Sequence, residues 1–229
     1  MKDNERVPWQ TKDVWLVVFG LIGLIILRVV FELIWKLFFL SSLGAISSMI
    51  LAYFFLFVLV WYFGLRPYNA SLVDLGFTPF KLSKALLYAF LGVLFIRAFL
   101  YNYTLFLSEA LKIKPPALYK EMPELFGESL IGFLIAVLVV VIIAPVVEEL
   151  FFRGFMYQAI KKQMGTSKAI LFSSAIFALF HPQAWLLIPM MIMGIILAWL
   201  YEKFGSLGPP IILHALNNLV SVIIIYVYF

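Results

Sequence analysis

Long apolar runs separated by short polar connections form the dominant pattern of this chain. A bilayer core roughly 30 Å thick needs about 20 apolar residues per spanning helix, and most of these runs reach that length. The pattern therefore predicts an all-α, polytopic transmembrane helix bundle with about seven spans, in a range of about six to eight. The predicted spans cover residues 14–35, 43–65, 85–107, 129–152, 169–181, 185–201 and 209–229.

The fifth run differs from the others because it is short. As a helix, residues 169–181 would extend only about 20 Å, and Pro182 follows directly after His181. An interrupted span implies a polar cavity that is lined by protein. We therefore expect this helix to end inside the membrane and to bring His181 close to Glu148.

The composition is typical of a membrane protein, since 65% of the residues are hydrophobic and only 13% are charged. We expect one membrane domain, residues 1–229, with no separate soluble domain. The chain has no cysteine, which excludes disulfides, iron–sulfur ligation and a cysteine nucleophile. Any catalysis must therefore use carboxylate, imidazole or hydroxyl groups, or a metal ion.

The net charge of +5 does not indicate a nucleic-acid partner, because the basic residues are scattered over short connections and form no stripe. The lipid bilayer is the expected partner. With the N-terminus inside, the inner segments carry eleven lysines and arginines and the outer segments carry four, which favours a cytoplasmic N-terminus. The inner set is Lys2, Arg6, Lys12, Arg66, Lys81, Lys84, Arg153, Lys161, Lys162, Lys168 and Lys203, and the outer set is Lys36, Lys112, Lys114 and Lys120.

Three short polar patterns interrupt the late apolar runs. They are Glu148-Glu149-x-x-x-Arg153, Phe177-x-x-x-His181 and His214-x-x-x-Asn218, and they include both histidines of the chain. Ionisable side chains are costly inside a membrane, so their presence there indicates a functional site.

The glutamate pair has two different environments if it lies on a helix. Glu149 and Arg153 are four residues apart and can form an ion pair on one helix face. Glu148 then points about 100° away, where it can face a polar cavity and accept a proton as a general base. The alternative is an ion-paired helix end at the cytoplasmic interface, from which the Arg153 side chain reaches water.

The last motif places two polar side chains on one helix face, because His214 and Asn218 are four residues apart. An imidazole and a carboxamide can together serve a metal site or stabilise a tetrahedral oxyanion. The alternative is a hydrogen bond between helices that holds the bundle together. Asn217 is expected to face elsewhere and to serve packing.

Together, the three motifs resemble those of the membrane-embedded CAAX prenyl protease and bacteriocin-processing family, in the same order. The resemblance covers roughly residues 144–220 and implies an all-α intramembrane protease. It implies that Glu148 and His181 activate water, that His214 and Asn218 stabilise the oxyanion, and that Glu149 and Arg153 orient the site. Residues 1–127 are then N-terminal spans and loops, and residues 128–229 form the catalytic core.

The resemblance leaves the role of a metal open. If zinc binds, Glu148, His181 and His214 are its expected ligands; otherwise the same residues form a metal-free base and oxyanion site. The implied substrates are membrane-associated peptides or proteins, such as prenylated C-termini or leader peptides, and the expected location is a prokaryotic plasma membrane.

A second class of function also fits the buried polar residues. A non-catalytic immunity or scaffold protein, or a small transporter, could use them to bind a partner or an ion. Arg28, Glu32 and Arg97 in the early spans favour this alternative, although Arg28 and Glu32 can form a structural pair at i and i+4.

Overall fold

The computed structural model describes residues 7–38, 43–113, 121–181 and 183–228. Within these ranges, all regular secondary structure is helical. The helices are α1 (Thr11–Phe38), α2 (Leu43–Val60), α3 (Leu82–Glu109), α4 (Glu121–Phe126), α5 (Leu130–Met164), α6 (Thr166–Leu179), α7 (Leu187–Phe204) and α8 (Gly208–Tyr228).

Six of the described helices are long and apolar enough to cross a membrane: α1, α2 with its continuation to Tyr68, α3, α5, α7 with the preceding turn, and α8. Helix α6 has 14 residues and would extend only about 21 Å. The protein is therefore an integral, multi-pass membrane protein, and the predicted all-α bundle with one short fifth helix is confirmed.

Helix α5 is continuous over 35 residues but is not uniform. Two π-helical segments, Val137–Ile143 and Leu150–Tyr157, flank the α-helical stretch Ala144–Glu149. Pro145 lies in the first turn of that stretch, and its ring cannot donate a backbone hydrogen bond. A π-helical turn accommodates this lost bond, and such turns often occur at functional sites.

Helices α6 and α7 form a hairpin beside α5. Lys161, near the end of α5, contacts Glu202, near the end of α7, at 2.6 Å. Since α6 begins directly after α5, the base of the hairpin lies at this end. Its tip, of which residues 180–181 and 183–186 are described, lies beside the middle of α5. Gly194 allows close packing of the two arms, because a Cβ atom there would lie 3.0 Å from the Cα atom of Ser174.

Several connections meet at the end of the bundle that carries Lys161, which we call the basic end. The indole of Trp9 donates to the carbonyl of Phe155 at 3.0 Å, and the amide of Leu207 donates to the carbonyl of Gly76 at 2.8 Å. The positive-inside rule predicts that this end is cytoplasmic.

Candidate active site

The two glutamates lie near the middle of α5, between its π-helical segments. Glu148 is about 27 Å along the helix from Leu130 and about 24 Å from Met164. The pair is therefore placed inside the bundle and away from both ends of this helix.

Glu149 forms the centre of a buried polar cluster. Its Oε1 atom accepts a hydrogen bond from Arg153 at 2.7 Å and lies 2.9 Å from His214 Nδ1. The side chains of Glu149 and Arg153 are fully buried, so the expected ion pair is present. The alternative in which the Arg153 side chain reaches water is wrong, because protein atoms surround it.

The same cluster orients the imidazole of His214. A carboxylate can only accept hydrogen bonds, so with Glu149 ionised beside Arg153, Nδ1 of His214 carries the proton of this contact. The other ring nitrogen, Nε2, then lies on the side of Glu148, 3.9 Å from its Oε2 atom. Glu149 thus fixes which nitrogen of His214 faces the second glutamate.

Phe177 covers the buried cation. Its ring centroid lies 4.5 Å from the Arg153 guanidinium carbon, 4.6 Å from the His181 ring centroid and 5.9 Å from the His214 ring centroid. The guanidinium also donates to the backbone carbonyl of Gly194 at 3.1 Å. An aromatic face stabilises a desolvated cation, which gives the phenylalanine of the second motif a physical role.

Glu148 has a different environment from its neighbour. Its Oε1 atom accepts a hydrogen bond from the hydroxyl of Tyr53 at 3.0 Å, whereas its buried Oε2 atom has no hydrogen-bond partner among the described residues. The side chain is 16% exposed, compared with 0% for Glu149. Each of the two carboxylates has an Oε2 atom without a hydrogen-bond partner among the described residues, but of the two glutamates only Glu148 lines the cavity.

His181 lies just beyond the end of α6, at the tip of the hairpin. Its Nδ1 atom lies 2.8 Å from the carbonyl oxygen of Phe177. A carbonyl can only accept, so Nδ1 carries the proton and Nε2 remains for other contacts.

The two asparagines of α8 do not lie in the separate environments that the sequence predicted. Asn218 donates to the carbonyl of Val140 at 2.9 Å, in the first π-helical segment. Asn217 lines the same cavity as Asn218, so the expectation that it faces elsewhere is wrong. Residues three and four positions after His214 both lie on the same side of the helix as His214. The i, i+4 position of Asn218 therefore does not exclude Asn217 from that side. The carboxamide oxygen of Asn217 is buried and accepts no hydrogen bond from the residues that the structure describes.

A cavity of about 240 Å³ joins these side chains. The structure thus brings together all four residues expected to act on a substrate, while Glu149 and Arg153 lie behind them. Three methionines and Leu186 add an apolar part to the wall. The polar lining residues are Tyr53, Glu148, His181, His214, Asn217, Asn218 and Ser221, and the methionines are Met122, Met190 and Met193.

Two lining residues come from helices that precede α5, namely from α2 and α4. Tyr53 is one of 11 tyrosines, and Met122 is one of 8 methionines. Neither has a sequence signal that separates it from residues that only pack or face lipid.

The resemblance leaves a zinc site open, with Glu148, His181 and His214 as its expected ligands. Among the described residues, no three histidine, aspartate or glutamate side chains lie close enough together to hold a metal ion. Metal dependence of the site therefore remains a prediction.

Comparison with known proteins finds a match to the part of the chain that contains the three motifs. Residues 130–220 match the family described as "Type II CAAX prenyl endopeptidase Rce1-like". The chain is also 37% identical, over 79 residues, to the UPF0177 protein YxdF of Lactococcus lactis subsp. lactis (strain IL1403), a match that covers 34% of this chain and 43% of that relative. No solved structure matches the chain. The matched residues contain all three motifs, so this part of the chain is similar to the CAAX prenyl endopeptidase family.

Proposed function

We propose that this protein is an intramembrane endopeptidase that uses water activated by Glu148 and His181. The observation that carries the proposal is the unpartnered Oε2 atom of Glu148 in a cavity that it shares with both histidines. A buried carboxylate oxygen without a donor is costly unless water or substrate hydrogen-bonds to it. The family match supports a protease-type function for this region.

In the proposed reaction, a water molecule donates a proton to Glu148 while the oxygen of that water attacks the carbonyl carbon of the scissile peptide bond. His181 orients this water through Nε2. When the C–N bond breaks, Glu148 returns the proton to the leaving nitrogen, which regenerates the carboxylate.

The developing oxyanion is stabilised from α8. In its doubly protonated form, His214 holds Glu149 through Nδ1 and offers its Nε2 proton to the oxyanion. Asn218 has two amide protons, of which the bond to Val140 uses one. Its second proton is available to the oxyanion.

We propose substrates whose scissile bond lies at the membrane, namely prenylated C-terminal peptides or leader peptides. The methionine-rich part of the cavity wall suits an apolar segment of such a substrate, because methionine packs against irregular apolar shapes. The proposed location is a prokaryotic plasma membrane, with the basic end in the cytoplasm.

The deciding experiment compares peptide cleavage by the purified wild type and by Glu148→Gln, with and without a chelator. Glutamine has nearly the same shape as glutamate but cannot take up the proton, so we expect cleavage to fall by about 10³-fold or more. Glu128→Gln is the matched control, since Glu128 is exposed and lies outside the cavity. Both variants are first shown to have the wild-type melting temperature.

Each outcome has a distinct meaning. Loss of cleavage in Glu148→Gln alone supports the assigned base, and loss of wild-type cleavage in chelator indicates metal-dependent chemistry. Equal cleavage by Glu148→Gln and the wild type would contradict the proposal.

The alternative of an ion-binding transporter or scaffold has less support in the structure. Arg97, which favoured it, donates to the backbone carbonyl of Asn217 and to the hydroxyl of Ser221, at 2.7 Å for the latter. It therefore links α3 to α8 in a structural contact. The side chains of Arg28 and Glu32 lie outside the described part of the structure.

A further inference from the structure

The described protein donors to the two glutamates come from different parts of the chain. Glu149 is held by Arg153 and His214, both of which belong to the motifs. The described hydrogen bond to Glu148 comes from Tyr53, 95 residues earlier in the sequence and outside the family match.

This hydrogen bond divides the Glu148 carboxylate into two unequal oxygens. The Tyr53 hydroxyl holds Oε1 at 3.0 Å, and Oε2 has no hydrogen-bond partner in the described part of the chain. The Nε2 atom of His214 lies 3.9 Å from Oε2, which is too distant for a hydrogen bond. The rotation of the carboxylate about its last side-chain bond thus depends on Tyr53.

The position of Tyr53 depends in turn on a close contact between α2 and α5. Gly64 lies in the continuation of α2, where a Cβ atom would lie 2.4 Å from the ring of Phe155. A helix that approaches this closely can present a tyrosine hydroxyl to α5 three turns away.

We propose that Tyr53 is a positioning residue for Glu148. It holds Oε1 and thereby keeps Oε2 directed into the cavity, where the attacking water binds. The inference rests on the proposed protease function and assigns a role to a residue of α2 that the three motifs do not contain. A general base must be held in the direction of the proton that it accepts, and a misdirected base lowers the rate of the chemical step.

The test is a steady-state comparison of the wild type with Tyr53→Phe on a peptide that the wild type cleaves. Phenylalanine keeps the ring and removes only the hydroxyl. We expect kcat to fall by about 10- to 100-fold, the range for a lost hydrogen bond to a charged group. KM should stay within about twofold, because the bond is made to the enzyme's own carboxylate and not to the substrate.

Tyr101→Phe is the matched control, because Tyr101 is 66% exposed and lies outside the cavity. It should cleave at the wild-type rate, and melting temperatures should agree among the three proteins.

An unchanged kcat in Tyr53→Phe would overturn the inference. A raised KM with unchanged kcat would also overturn it, since the hydroxyl would then contact substrate, and loss of the folded state would assign it a purely structural role. Failure of the proposed function gives a different result, namely cleavage by Glu148→Gln at the wild-type rate.

Discussion

Helices α5–α8 and helices α1–α4 differ in the polar groups that they bring to the interior. In α5–α8, Glu149, Arg153 and His214 form one buried cluster, and the three motifs lie there. Helices α1–α3 expose many large apolar side chains, as expected for surfaces that face lipid, but they also contribute Tyr53 and Arg97 to contacts at or beside the cavity. The motif residues of the candidate site therefore lie in one region, whereas two polar side chains that contact Glu148 or α8 come from the other.

The difference also explains how the family match can stop short of the whole site. The match spans residues 130–220, while the cavity includes Tyr53 from α2 and Met122 from α4. A lipid-facing helix needs only apolar side chains over most of its surface, so its sequence can vary while one polar contact is kept.

The largest effect is expected from breaking the buried cluster within α5–α8. Arg153→Met would leave Glu149 without its cation, and an uncompensated buried charge costs about 3–5 kcal/mol. Thermal unfolding in detergent measures the loss. Lys161→Met is the matched control, because the Lys161–Glu202 pair is partly exposed and should contribute only about 0–1 kcal/mol. Equal melting temperatures for the two variants would show that the buried cluster has no special importance.

A smaller effect is expected at the contact between the two regions. Gly64→Ala would place a methyl group against Phe155, and overpacking of this kind costs about 1–3 kcal/mol. Because α2 carries Tyr53, we also expect a lower kcat in the variant that remains folded. Gly23→Ala is the control, since no described atom beyond the neighbouring residues and backbone of its own helix lies within 4 Å of the added methyl. A fully active Gly64→Ala would argue against this coupling of α2 to Glu148.

The smallest effect is expected at the link between α3 and α8. Arg97→Met removes the hydrogen bonds to Asn217 and Ser221, and a polar contact between membrane helices contributes about 0.6–2 kcal/mol. Cleavage should persist once the variant is folded, and Lys84→Met, an exposed change on the same helix, should affect neither property. Unchanged stability with complete loss of cleavage would instead give Arg97 a direct part in the reaction.

Most of the fold followed from run length and spacing. The short helix α6, predicted as the fifth apolar run, and the Glu149–Arg153 pair were predicted correctly. The reason is that helix length and i, i+4 contacts depend only on local sequence. Asn217 was assigned to the wrong environment because residues three and four positions after His214 lie about equally near its face. The choice between them depends on which helices pack against α8.

By itself, the sequence determined the membrane class, the helical bundle, the similarity of residues 130–220 to a known family and the separate environments of the two glutamates. Only the tertiary structure decided that Tyr53 holds Glu148 and that Asn218 donates to Val140. The physical reason is the range of the interactions. Hydrophobic run length and helical periodicity act over a few residues, whereas these hydrogen bonds join side chains that come together only when the helices pack.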